Sequence, residues 1–404
     1  MKTIWIINHY AKPYEGRHYK FAEKLSKKNY RVKIICASTS YPEIKQTFSA
    51  KQTRQNQEIN GILFSFIKAR DYNGNGKDRL KNILEFSFRA YQHERKEKQQ
   101  KPDVIYASSV HPLNWVIGYA LAKKYHSKLI IETRDLWPET LIRMGRIKEK
   151  SLIAKALYTL ERFMYQRADH LIFTMPGGGK YLEEHDIPYK RVSYINNGVD
   201  LEEFNAHLQN FKFHLDKKPG TFNVVYAGSM GIANALDQIL EAAKIFKDKK
   251  DNTVQFHFFG DGYKKDELLQ FAAENNLSNV TFYGKVEKKF IPSILSQADL
   301  NIVTSQNLSI YKYGVSLNKL FDYFAAGKPI LSNIPTPFNK IEAYGCGITV
   351  EPDSPEALTK AIIEISTSSS KQYDTYCKNC LEAAKQFDFK ELTAKLETVI
   401  NNLG

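Results

Sequence analysis

Val224-Val225-Tyr226-Ala227-Gly228-Ser229-Met230-Gly231 is a short, largely apolar run that ends in Gly-x-x-Gly, and a helix-period segment begins around Ala235. A strand that delivers a glycine loop to a helix is the start of a βαβ unit. Backbone N–H groups in such a loop are able to approach a diphosphate, and the dipole of the following helix favours that charge. The competing reading is a tight strand–helix turn that binds nothing. Phe259-Gly260-Asp261-Gly262 repeats the design after the next apolar run, and two such loops in one half point to a phosphate-bearing ligand.

The alternation extends outward from this stretch. Strands are predicted at Phe222–Ala227, Val254–Phe259, Val280–Tyr283, Leu300–Val303 and Pro329–Ser332, with helices near Ala235–Phe246, Tyr263–Asn275, Phe290–Gln297 and Leu317–Ala326. Upstream, strands are predicted at Thr3–Asn8, Arg31–Ala37, Ile62–Phe66, Val104–Ser108, Leu129–Glu132 and His170–Thr174. The helices between them fall near Arg17–Lys28, Lys77–Lys98, Leu113–Tyr125 and Lys148–Arg167. Ile- and Val-rich strands separated by helices imply parallel sheets. Turn chemistry at Asn196-Asn197-Gly198-Val199-Asp200 and at Lys217-Lys218-Pro219-Gly220 marks a linker near 196–220. The fold class is therefore α/β, with two Rossmann-like halves. The last segment, Lys390–Leu403, spaces Leu392, Leu396 and Ile400 four apart, as a helix packed on a domain face does.

Composition bounds the function. A chain of 404 residues suits two domains. Four cysteines make no disulfide framework, and Cys377 and Cys380 supply only two of the four ligands that a structural zinc needs. No apolar run reaches the ~20 residues needed to cross a bilayer, and Met1–Ile7 is too short for the core of a signal peptide. A reducing cytoplasm is the expected setting. The net charge of +14 leaves nucleic acid, an anionic membrane face and phosphorylated small molecules open. No zinc-finger spacing, RNP-type aromatic stripe or helix-turn-helix punctuation favours nucleic acid. The dinucleotide fingerprint is absent at the first strand, where Asn8-His9-Tyr10 stands instead.

Another chemistry-bearing segment runs from Tyr311 to Pro329. Gly314 and Gly327 punctuate it, and Asn318, Lys319 and Asp322 fall early in its helix. A buried Asp322 could accept hydrogen bonds from sugar or ribose hydroxyls, and Lys319 could neutralise phosphate. The plainer reading makes Asp322 a partner of the helix dipole and Lys319 a solvated charge.

Val280–Val286, Gly260-Asp261-Gly262, Asn197-Gly198-Val199-Asp200 and Asn318–Pro329 together resemble glycosyltransferase family 4, the retaining GT-B enzymes. Asn8-His9-Tyr10 with Gly16, and Glu132-Thr133-Arg134-Asp135-Leu136-Trp137-Pro138-Glu139, resemble more narrowly the subfamily that transfers N-acetylated sugars in bacterial O-antigen and capsule assembly. Asp71-Tyr72-Asn73-Gly74-Asn75-Gly76 with Arg79 and Asn82 is similar to that subfamily too.

The resemblance implies a GT-B fold, two Rossmann-like domains facing across a cleft. An acceptor domain would span 1–198, a donor domain 199–386, and helix 387–404 would pack back on the first. It implies a UDP-linked sugar donor held by Gly228, Ser229, Met230, Gly231, Gly260 and Gly262, by Lys285 and Val286 near the base, and by Ser316, Asn318, Lys319 and Asp322. It places Gly16, Arg17, His111 and Glu139 on the acceptor side and gives Arg134, Asp135 and Asp322 the catalytic roles. The competing reading of Asp135 is a strand-end helix cap. The implied acceptor is a polyprenyl-diphosphate-linked saccharide and the implied chemistry is transfer with retention. No cofactor is expected: no D-x-D triplet occurs in the chain, in keeping with metal-independent transfer.

Two positions depart from the family. Its Glu-x7-Glu pair would fall on Gly314 and Asp322, so the first carboxylate is missing. Its basic pair after the first glycine loop would fall on Ser229 and Asn234. Lys77–Arg89 mixes basic and large apolar residues at near-helical spacing, and Lys150, Lys155, Arg162 and Arg167 add charge to the same half. Peripheral attachment to the inner face of the plasma membrane follows, against the alternative of an ordinary surface helix. A GT-B-fold nucleotide-sugar epimerase and a non-catalytic binding protein remain as alternatives.

Overall fold

The computed structural model describes residues 1–404 apart from 41–43, 45, 46, 50, 73, 75 and 110. The chain forms two compact units, Met1–Asn196 with Phe389–Gly404, and Asn197–Asp388.

The first unit is built on β1 (Lys2–Ile7), β2 (Tyr30–Ala37), β3 (Arg54–Ile59), β4 (Ile62–Ile67), β5 (Val104–Ser108), β6 (Lys128–Thr133), β7 (His170–Phe173) and β8 (Val192–Tyr194). Among the described residues these make one sheet in the order β3-β4-β2-β1-β5-β6-β7-β8. Ile4 pairs with Val32 and Val104, and Ile6 with Ile34 and Tyr106, so the central strands are apolar on both faces and buried. All pairings are parallel except β3–β4. The helices are α1 (Gly16–Ser26), α2 (Lys77–Glu94), α3 (Leu113–Tyr125), α4 (Glu139–Arg143), α5 (Leu152–Arg167) and α6 (Gly178–Glu184). The helix expected over Lys148–Arg167 starts only at Leu152, where Ser151 accepts the Ala154 N–H.

The second unit begins with α7 (Leu201–Asn210), a helix inside the stretch expected as the linker near 196–220. Asp200 caps this helix by accepting the Glu203 N–H at 3.2 Å, and Glu202 and Glu203 sit in its positive first turn. Then follow β9 (Phe222–Ala227), α8 (Asp237–Asp248), β10 (Val254–Phe259), α9 (Lys265–Glu274), β11 (Val280–Gly284), α10 (Ile291–Gln297), β12 (Leu300–Val303) and α11 (Asn318–Ala326). The unit closes with β13 (Ile330–Ser332), α12 (Lys340–Ala343), β14 (Gly347–Thr349), α13 (Pro355–Ser366) and α14 (Ser370–Gln386). Its strands are all parallel, in the order β11-β10-β9-β12-β13-β14. Two apolar layers, one on each face, bury Ile239, Leu240 and Phe246 on one side and Leu295, Phe321 and Phe324 on the other.

The final helix, α15 (Phe389–Asn401), returns to the first unit. Phe389, Leu392, Leu396 and Ile400 join the core that α1 shares, Phe389 stacks edge-on against Phe21, and Lys28 pairs with Glu397 at 2.6 Å.

Candidate active site

In open parallel sheets ligands meet the carboxyl ends of the strands. In the second unit the loops after β9, β10 and β11 are joined there by main-chain hydrogen bonds. Gly228 N–H donates to Phe259 O at 2.9 Å, Met230 N–H to Asp261 O at 2.8 Å, and Gly260 N–H to Gly284 O at 2.8 Å. Gly260 has φ of 138°, and a Cβ there would fall 1.8 Å from Gly228 O. The glycines thus serve a loop-to-loop contact. In the first glycine loop the N–H groups of Gly228 and Met230 are spent on this contact, while among the described residues those of Ser229 and Gly231 have no hydrogen-bond partner. Nor does the loop open directly into a helix. A short 3₁₀ turn, Ile232–Asn234, intervenes, and α8 starts at Asp237, whose own carboxylate sits in the first turn.

The charge comes from α11. Lys319 Nζ donates to Tyr226 Oη at 2.7 Å and to Asn234 Oδ1 at 2.7 Å, and it lies 4.4 Å from the centroid of the Tyr226 ring. Burial lowers this ammonium to about 7. The reading of Lys319 as a solvated surface charge therefore fails. A Cβ on Gly228 would stand 2.8 Å from Nζ, so the absent side chain makes room for the cation. Asp322 lies one turn further along. Burial and Glu203 push its carboxyl up to about 6, against Lys288. Ser316 accepts the Asn197 N–H at 3.0 Å through Oγ, which ties down the start of the unit. Asn318 and Lys285 are exposed, and Val286 is half-buried against the core.

Gly314 explains its own departure from the family pattern. Its φ of 91° and ψ of 174° lie in a region essentially reserved for glycine, which a glutamate there would enter only under strain.

In the first unit the carboxyl ends of β1, β5 and β6 carry Asn8, His9, His111, Arg134 and Asp135. His9 Nδ1 and His111 Nε2 are 3.0 Å apart, and burial holds both rings neutral, at about 2 and about 3. Arg79 Nε reaches Tyr10 Oη at 3.1 Å, and Asn82 donates to Arg70 O at 2.6 Å. Asn73 and Asn75 of the neighbouring glycine loop lie outside the described residues. Asp135 is exposed at the end of β6 and caps no helix, since α4 starts at Glu139 behind Pro138. Crowding by the protein raises its carboxyl despite Arg134. The Arg134 N–H donates to Ser109 Oγ at 3.0 Å.

Two residues expected on the acceptor side are occupied by the fold. Arg17 donates through Nε to Glu132 Oε1 at 2.6 Å and through its other nitrogens to the carbonyls of Ile195 and Asn196. Glu132 also binds His18 Nε2 at 2.7 Å and the Tyr106 hydroxyl. Burial pushes the Glu132 carboxyl up, but Arg17 and His18 outweigh it and hold it well below the usual range. Glu139 is likewise buried and bound to Arg143 at 2.7 Å and to the Tyr158 hydroxyl. Gly16, by contrast, is exposed at the head of α1 with φ of 80° and open space around it.

Residues 18–203 match the family described as Glycosyltransferase Family 4, and residues 209–387 the family described as Glycosyl transferases group 1. The two matched stretches together take up most of the chain, and each is similar to a glycosyltransferase domain. The chain is 26% identical over 258 residues to the Pseudomonas aeruginosa protein named "Probable glycosyltransferase WbjE", a match that spans 62% of each chain. It is 22% identical over 353 residues to the Escherichia coli (strain K12) protein named "Putative colanic acid biosynthesis glycosyl transferase WcaI", a match that covers 84% of this chain and 85% of that protein. Among solved structures it is similar to Anabaena Alr3699/HepE in complex with UDP and glucose, with a TM-score of 0.69, 14% identity, and coverage of 98% and 99%. The fold is that of the GT-B glycosyltransferases.

Proposed function

We propose that the protein transfers a sugar, an N-acetylated hexosamine or deoxyhexosamine, from a UDP-linked donor to a polyprenyl-diphosphate-linked saccharide during assembly of a bacterial surface polysaccharide. The observation that carries this reading is Lys319, a half-buried ammonium with neutral partners at the strand ends where donor phosphates are expected. The relatives named for glycosyl transfer, and the Anabaena protein solved with UDP, support it.

In this reading the second unit holds the donor and the first the acceptor. The anomeric bond to the diphosphate breaks, and the charge that develops on the leaving oxygen is met by Lys319 and by the N–H groups of Ser229 and Gly231. The leaving diphosphate takes the proton of the attacking hydroxyl on the same face, so configuration is retained and no metal is required. Asp322 binds sugar or ribose hydroxyls, and Asp135 with Arg134 orients the acceptor.

The protein would work as a peripheral protein on the inner face of the plasma membrane. In α2, Leu80, Leu84 and Phe88 are 57%, 51% and 63% exposed at four-residue intervals, beside exposed Lys77 and Lys81.

Product analysis tests the reading. A transferase releases UDP only when acceptor is present, with or without EDTA. An epimerase interconverts two nucleotide sugars without release, and a binding protein turns nothing over. Turnover that disappears on chelation would contradict the metal-independent step.

A further inference from the structure

Lys319 is held by a closed ring of neutral groups. Its ammonium donates to Tyr226 Oη and Asn234 Oδ1, each at 2.7 Å. The Tyr226 hydroxyl donates in turn to Ser229 O at 2.7 Å, and the Asn234 amide donates to Ser229 O at 2.9 Å and Ser229 Oγ at 3.0 Å. Ser229 therefore closes the ring from the other side, and its own N–H is left on the loop.

No carboxylate balances this cation among the described residues. Asp322, on the same helix, interacts with Lys288 and Glu203 instead. The titratable group in contact with Lys319 is the phenol of Tyr226 on β9, and Tyr323 of α11 lies beside Tyr226 in turn; burial pushes both phenols up, so both stay neutral. Desolvation disfavours even a half-buried ammonium unless an opposite charge is near. The fold thus builds a cation site and omits its counter-ion, at the two positions, Ser229 and Asn234, where the family's basic pair would stand.

We propose that Tyr226, Ser229 and Asn234 are positioning residues that hold Lys319 as an uncompensated cation, and that the diphosphate of a nucleotide is its anionic partner. The proposal rests on the donor reading given above. Its consequence is proton-coupled binding. Burial lowers the free ammonium to about 7, and a diphosphate beside it raises the value again. Above that value the free protein carries a largely neutral amine, and binding moves a proton from buffer onto Nζ. Well below it Lys319 is already charged and no proton is taken up.

Calorimetric titration with UDP at pH 8, in two buffers of different ionisation enthalpy, reads this directly. Wild type is expected to take up about one proton per UDP, and less at pH 6. Lys319→Arg is expected to bind UDP with no uptake, because a guanidinium stays charged at either pH. Tyr226→Phe and Asn234→Ala are expected to weaken UDP binding about tenfold and to shift the pH at which uptake begins, which a merely structural defect would not do. UDP binding without uptake in wild type, or uptake that persists in Lys319→Arg, overturns the proposal and leaves the donor reading standing. Failure of UDP, GDP and dTDP to bind at any pH overturns both.

Discussion

Gly228 and Lys319 share one space: a Cβ on the glycine would stand 2.8 Å from Nζ and 2.9 Å from Cε of the lysine. The cation occupies the volume that a side chain on the loop would fill. Gly228→Ala should therefore fold, because the end of the lysine chain is able to give way, while UDP affinity falls about tenfold, or about 1.4 kcal/mol. Calorimetry on the variant, with its melting temperature as a control for folding, checks this.

Restoring the family's missing carboxylate should not improve the enzyme. Gly314→Glu would force φ of 91° and ψ of 174° on a residue with a Cβ. It is expected to lose about 1–3 kcal/mol of stability in urea unfolding and to gain no transfer rate. A faster variant would show that the carboxylate, and not the backbone, is what the site lacks.

The strands of both sheets are legible in the sequence because buried parallel strands are nearly unbroken Ile, Val, Leu and Phe runs. The edges are not. β3 reads Arg54-Gln55-Asn56-Gln57-Glu58-Ile59, in which Ile59 alone is buried, and β8 and β14 are three residues each. Helix α7 is signalled by Asp200 with Glu202 and Glu203, but Asp200 also closes the turn run Asn196-Asn197-Gly198-Val199-Asp200, so its capping role does not stand out. At the site, Gly228, Lys319 and Asp322 are visible as residue types in glycine-punctuated segments. Their arrangement is not, because Tyr226 and Asn234 meet Lys319 across 93 and 85 residues of chain. The same distance hid the structural use of Arg17, whose carboxylate partner is 115 residues away.

Glu132 should be a stability residue as well as a neighbour of Asp135. Glu132→Gln leaves Arg17 buried without its carboxylate, and is expected to cost about 3–5 kcal/mol. The carboxyl is depressed in the folded protein, so its contribution is present above the unfolded value of about 4.3 and is lost as pH falls below it. Urea unfolding from pH 7 to pH 3 should show wild type losing stability over a range in which the variant changes less.

The exposed stripe on α2 predicts attachment to anionic bilayers. Wild type should sediment with phosphatidylglycerol vesicles at low salt and release as salt rises. Leu84→Ser with Phe88→Ser should release at lower salt while UDP affinity is unchanged. Absence of sedimentation at low salt would remove the membrane claim.

The central claim, that the second unit is a nucleoside diphosphate sugar site centred on Lys319, is tested most directly by thermal shift against UDP-, GDP- and dTDP-sugars. A UDP-sugar at 100 times its dissociation constant is predicted to stabilise wild type by about 2.7 kcal/mol and Lys319→Met far less at the same concentration. Stabilisation by none of the nucleotide sugars, or equal stabilisation of wild type and Lys319→Met, would contradict it.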